Sequence, residues 1–187
     1  MSSPSKNKGS SFEREVAKFL SELYQESFIR SPGSGAHIGG KNNSRTEFLH
    51  EGQIRSFKGD IVPGQSFPLL NVECKNYAQF PFHQLFTEEC KQLDGWLKQL
   101  LDVAEPNDLS VLFIKITRTG KFVCVPANLT WMTNQFMYYS SKKYNDWIIV
   151  DFDLFFKYNK DMFKGYSSPV NSSGSTQAHL GSTDTTS

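Results

Sequence analysis

Two strand-like runs and a long helical run follow one another between Lys58 and Ala104, and this succession constrains the fold more than any other feature of the chain. Lys58-Gly-Asp-Ile-Val-Pro63 and Leu69-Leu-Asn-Val-Glu-Cys-Lys75 read as strands around a turn at Gly64-Gln-Ser-Phe-Pro68, which predicts a hairpin. From Phe82 to about Ala104, apolar residues recur at Leu85/Phe86, Cys90, Leu93, Trp96/Leu97 and Leu100/Leu101, the period of an amphipathic helix. Gly95 inside it predicts a bend or a close approach.

Weaker signals extend the pattern on both sides. Phe12, Val16, Phe19/Leu20 and Leu23 mark a first helix, with Ser10-Ser11-Phe12-Glu13 read as its capping box. Phe28-Ile29-Arg30 reads as a short strand or turn. Leu109–Thr117 and Lys121–Val125 predict a hairpin about Thr119-Gly120. Asn128–Tyr139 fits no single period, Trp147–Val150 reads as a strand, and Asp153 is read as the cap of a last helix ending near Phe163. The order predicts an α/β fold with a central mixed β-sheet flanked by helices.

The chain has 187 residues, 38% of them hydrophobic, which suffices for one domain with its own core. That domain is expected over residues 10–164. Residues 1–9 are polar and expected to be loose, and 165–187, rich in Ser, Thr and Gly, to be a disordered tail. A glycine-rich stretch opening at Ser31-Pro-Gly-Ser-Gly-Ala36 leads into a long loop over 36–57, which predicts a functional or mobile segment. No apolar run is long enough to cross a membrane, and the N-terminus has no apolar signal segment. Cys74, Cys90 and Cys124 match neither a zinc spacing nor a disulfide framework, so reduced thiols in the cytoplasm are expected.

A net charge of +1 argues against nucleic-acid binding by bulk charge. Locally the balance differs. Arg30, Lys41, Arg45, Arg55 and Lys58 face only Glu47 and Glu51 in the same stretch, which fits either phosphate contacts or a solvated loop.

Chemistry is concentrated at Asp60 and Glu73-Cys74-Lys75. Side chains alternate along a strand, so Glu73 and Lys75 share a face while Cys74 points into the core. Asp60 on the neighbouring strand reaches the same face. Two such carboxylates suit a hard divalent cation such as Mg²⁺, and the Cys74 backbone carbonyl is a further oxygen donor. The cation would acidify a bound water, and Lys75 would orient that water or hold a phosphate oxygen.

Four blocks in order carry a family likeness: Lys8-Gly9-Ser-Ser-Phe-Glu13-Arg14, Arg30-Ser-Pro-Gly-Ser34, Gly59-Asp60-Ile-Val62 and Val72-Glu73-Cys74-Lys75. Together they resemble the PD-(D/E)XK nuclease superfamily, with its restriction-endonuclease-like core, and most closely the archaeal-type Holliday junction resolvases. The resemblance spans roughly residues 6–156. It implies a catalytic set of Glu13, Asp60, Glu73 and Lys75, with Mg²⁺ (Mn²⁺ as a substitute) as cofactor. It implies DNA as substrate, in particular four-way junctions, a homodimer making two symmetric cuts, and 5′-phosphate products. Arg30 and Ser34 match a segment near the junction-binding surface, and Lys8, Arg14, Lys41, Arg45, Arg55 and Lys58 complete the expected DNA contacts. The 36–57 loop is longer than in a compact resolvase and marks either an added substrate-binding element or a different substrate. A restriction- or repair-type endonuclease, or a nuclease-like domain that only binds, are the other readings.

Several residues keep two readings. Glu13 is a metal ligand, a helix cap or both. Arg14 is a DNA contact or a dimer contact. Gln84 and Gln92 touch the site or line a polar helix face, and Lys115 enters the site or caps a strand. His37, His50 and His83 are solvent or loop residues, or act as acid or ligand. Trp131, Phe136, Tyr138 and Tyr139 pack in the core or stack on bases.

Overall fold

The computed structural model describes residues 4–32, 58–87 and 89–169. Helix α1 (Pro4–Tyr24) is followed by two short strands, β1 (Ile29–Arg30) and β2 (Ile61–Val62). Strand β3 (Leu70–Tyr77) leads through a 3₁₀ turn (Phe82–Phe86) into α2 (Lys91–Leu101). Strands β4 (Leu109–Ile116), β5 (Gly120–Pro126), β6 (Met137–Ser141) and β7 (Asn145–Asp151) precede the last helix, α3 (Phe152–Tyr166).

The main sheet has the order β3-β4-β5-β7-β6. Strands β3 and β4 are parallel, and the remaining pairs are antiparallel, so the sheet is mixed as expected. A parallel pair needs a crossover, and the segment carrying α2 supplies it. Nearly every residue of β4 is buried, because helices cover both faces of the sheet.

Two apolar layers follow from this arrangement. On one face Phe12, Val16 and Leu20 of α1 and Phe152, Phe155 and Phe163 of α3 pack on Val72, Cys74, Val111 and Phe113. On the other, Leu93, Trp96, Leu97 and Leu100 of α2 pack on Leu112, Ile114 and Ile116. Asp94 is buried in this second layer and accepts hydrogen bonds from the hydroxyls of Tyr139 (2.9 Å) and Ser141 (2.8 Å), fastening α2 to β6.

Five expectations change. Helix α1 begins at Pro4, so Ser10, Ser11 and Glu13 lie inside it rather than at its start, and residues 4–9, expected to be loose, are helical. The predicted hairpin over 58–75 does not form: β2 pairs with β1, with Ile29 opposite Val62 and Arg30 opposite Ile61. The helix predicted over Phe82–Ala104 is a 3₁₀ turn and a shorter α-helix, and a Cβ on Gly95 would meet nothing within 4 Å, so no close packing demands that glycine. Asp151, rather than Asp153, caps α3 by accepting from the Leu154 N–H at 3.0 Å. The start of the expected tail is anchored, since Ser167 is buried, its carbonyl accepts from Leu69 N–H (3.0 Å), and the Ser168 hydroxyl donates to Ser66 O (2.7 Å). The 36–57 loop and residues 170–187 lie outside the described residues.

Candidate active site

Strand β3 is an end strand of the main sheet, and the segment 59–61 lies along its outer edge. Asp60 N–H donates to Val72 O at 2.8 Å, and Cys74 N–H donates to the Asp60 carboxylate (Oδ2) at 2.7 Å. Ser31 N–H donates to Asp60 O at 2.9 Å, which ties the chain after β1 to the same point. Because a strand residue directs its N–H and C=O to one side, the Cys74 carbonyl also faces this edge. Asp60 is therefore fixed by backbone on both sides.

Gly59 permits the approach. Its φ of +67° is the left-handed region, and a Cβ there would sit 2.4 Å from the Val72 carbonyl oxygen. Backbone cannot yield to such a contact cheaply. Gly59→Ala is expected to cost about 1–3 kcal/mol in a urea unfolding curve. A change below roughly 0.5 kcal/mol would refute the close approach.

Glu73 and Lys75 project on the α2 face, opposite Leu112 and Ile114 of the neighbouring strand. Val72 and Cys74 point the other way, into the layer beneath α1, as the alternation predicts. Lys75 Nζ donates to Glu73 Oε1 at 2.5 Å and also to Gln99 Oε1 on α2. Gln99 was not among the sequence candidates. Gln84 lies on the 3₁₀ turn, and Gln92 Nε2 donates to Gln79 O at 3.5 Å. The helix starts later than its apolar period suggested, so a residue two turns after Gln92 meets the lysine.

Asp60, Glu73 and Glu13 are all buried, at 4%, 8% and 7% exposure, values that rule out an ordinary solvated rim. Burial, with the Glu73 charge beside it, pushes the Asp60 carboxyl up to about 7, and the Cys74 N–H pulls only partly the other way. Burial also raises Glu73, while Lys75 draws it back down. Cys74 is a buried free thiol raised well above its usual value by burial and then by the carboxylates around it. Glu13, from α1, pairs with Arg30 of β1, and its charge reaches both Asp60 and Glu73.

This donor chemistry suits a divalent cation. Among the described residues no three Asp, Glu, His or Cys side chains are grouped to hold a metal ion by themselves. Two buried carboxylates and an edge-facing carbonyl, completed by water, match the preference of Mg²⁺ for few protein ligands.

The expected DNA contacts divide. Lys58 is half-buried and pairs with buried Asp108 and, at 3.8 Å, with Glu105. Arg30 is engaged by Glu13. Both charges are thus matched inside the protein. Arg14 is exposed on α1, and Lys8 lies in the first turns of that helix. Ser34, Lys41, Arg45 and Arg55 lie outside the described residues, as do His37 and His50, whereas His83 is exposed. Lys115 belongs to the other face: its Nζ meets Glu15 Oε2 at 2.5 Å beside Phe12. Trp131 and Tyr139 are core residues, while Phe136 and Tyr138 are about half exposed.

A mixed sheet with Asp60, Glu73 and Lys75 gathered at an end strand and a glutamate delivered by the first helix defines a PD-(D/E)XK nuclease. Residues 4–165 match the family described as "phage putative PDDEXK endonuclease", and the chain belongs to that family. No curated protein and no solved structure matches the chain. Membership carries nuclease activity, a phosphodiester hydrolase chemistry that in this superfamily typically uses divalent metals. No helix among the described residues is long and apolar enough to cross a membrane.

Proposed function

We propose that this protein is a Mg²⁺-dependent DNA endonuclease that selects branched DNA, with four-way junctions as the leading substrate and a homodimer as the working form. The observation that carries the reading is the buried Asp60–Glu73 pair, held against an edge-facing carbonyl and flanked by Lys75. Two carboxylates placed this close out of water repel one another, and a cation relieves that cost.

Asp60 and Glu73 would hold Mg²⁺, with the Cys74 carbonyl completing the protein donors and Glu13 contributing its charge from α1. The bound metal supplies an acidified water and neutralises charge on the phosphate. Lys75 presents its ammonium group to the attacking water or to a phosphate oxygen. Gln99 and Glu73 keep that ammonium in place. In-line attack on phosphorus by a water, with departure of the 3′ oxygen, would leave a 5′-phosphate. Two symmetric cuts need two such sites, which a twofold dimer provides.

The discriminating assay compares a labelled four-way junction with a linear duplex, in Mg²⁺ and in EDTA. Cleavage confined to Mg²⁺ (or Mn²⁺) and favouring the junction is the expected result. Equal cleavage of linear duplex would replace the resolvase reading with a restriction- or repair-type endonuclease. Binding of DNA without cleavage under any divalent metal would leave a non-catalytic nuclease-like domain.

A further inference from the structure

We propose that Tyr77 is a stacking platform for an unpaired nucleobase next to the scissile phosphate, and so a residue that favours branched over fully paired DNA. The proposal rests on the nuclease reading of the Asp60–Glu73–Lys75 site and names a substrate contact for it.

Three observations converge on this side chain. Tyr77 follows Lys75 by two residues on β3, so both project on the same face, about 6.6 Å apart along the strand. Tyr77 is 45% exposed, although the face it stands on is otherwise covered by α2. It is also rigidly backed. The Trp96 ring lies 4.9 Å away at 41°, and Trp96 in turn stacks on Phe80 at 5.3 Å and 27°. The backbone beneath it is pinned as well, because Tyr77 O accepts from both the N–H (3.0 Å) and the hydroxyl (3.3 Å) of Thr117.

A surface aromatic usually loses exposure by folding onto its neighbours. Here one side is spent on Trp96 and the rest stays open. The surroundings are polar: Gln99 is exposed on α2 above Lys75, and Gln79 is exposed where the chain leaves β3. An aromatic ring backed by Trp96, half exposed and flanked by amides beside a phosphate-cleaving lysine, has the chemistry of a base-stacking surface. Every nucleobase offers a π face, so such a contact tolerates any sequence. In an intact duplex the bases are already stacked on each other, and the contact is lost. At a branch point the terminal base has an open face, which makes the contact selective for structure.

The test uses the full chain. A 2-aminopurine is placed in turn at each nucleotide of the branch of a four-way junction, and in the corresponding linear duplex, and emission is read in EDTA. Stacking on Tyr77 is expected to quench the probe at one or two branch positions in wild type and in Tyr77→Phe, and to leave it bright in Tyr77→Leu. In Mg²⁺, Tyr77→Leu should lower kcat/KM on the junction by about 10- to 100-fold, with less than about threefold loss on linear duplex, while Tyr77→Phe stays near wild type. Equal losses on both substrates, or emission that does not distinguish wild type from Tyr77→Leu, would overturn the proposal. Far-UV circular dichroism and a thermal melt of Tyr77→Leu separate lost stacking from lost folding, and Tyr77→Trp, which keeps a ring on Trp96, should retain quenching. If wild type cuts no DNA, the nuclease reading fails, and the quenching pattern still decides whether Tyr77 stacks on a base.

Discussion

Asp60→Asn is expected to lower the single-turnover cleavage rate by about 1,000- to 10,000-fold in Mg²⁺, and Lys75→Met by about 100- to 1,000-fold. The two substitutions act on different parts of the site, and their signatures should differ. Asp60→Asn keeps the size of the side chain and its hydrogen-bonding position beside Cys74 N–H, but removes the carboxylate charge. Raising the metal concentration should therefore restore part of the rate. Lys75→Met removes a donor that Glu73 and Gln99 hold in place, and no metal concentration should compensate. DNA affinity in EDTA should change by less than about fivefold in Asp60→Asn, which removes none of the expected DNA contacts. Full activity in both variants would sink the assignment of the site. A Lys75→Met defect rescued by metal would place the lysine in metal retention rather than in water or phosphate positioning.

Stability should depend on pH in a direction opposite to that of most carboxylates. Asp60 is raised from the usual aspartate range to about 7 by burial and by Glu73. Below about pH 4 the folded and unfolded chains both hold the proton, and the contribution is complete. Between about pH 4 and pH 7 only the folded chain holds it, so stability falls as pH rises through the folded value. Glu15, Glu26 and Asp146 are held below their usual values by their hydrogen-bonding and charged partners, so they contribute in the opposite sense at lower pH. The clean measurement is thus the difference between wild type and Asp60→Asn in urea unfolding at pH 5 and pH 8. The variant should gain stability relative to wild type as pH rises. Mg²⁺ requires the ionised carboxylates, so its stabilisation of wild type should be small at pH 5 and larger at pH 8, and should be much reduced in Asp60→Asn. A wild type whose stability difference from the variant is flat across this range would contradict the buried carboxylate pair.

The sequence made the strand of the candidate site readable for a physical reason. A period of two separates Glu73 and Lys75 from Val72 and Cys74 whatever the strand's partner is. The fold class and the β4–β5 hairpin were legible because apolar periodicity and a Thr-Gly turn are local signals. What escaped was set by distant contacts. Strand β2 pairs with β1 across the whole intervening segment, a contact that no local pattern marks. The early start of α1 escaped because Pro4 to Ser11 carry no apolar period, although proline at a first helical position is a known start signal. Lys58 and Arg30 looked like free cations because their partners, Asp108 and Glu13, are far away in the chain. Gln99 was missed for the same reason. Its role depends on where α2 lands on β3, not on its spacing from Lys75.

The two-residue ribbon of β1 and β2 fixes where the segment between them leaves and returns. Ile29 faces Val62 and Arg30 faces Ile61, so the chain leaves for residues 33–57 and returns at almost the same place. Closing such an excursion costs little more when it is doubled in length. The ribbon therefore separates the length of that segment from the placement of Asp60, one residue before β2. Lengthening or shortening residues 33–57 is expected to leave the Asp60 hydrogen bonds to Val72 and Cys74 intact.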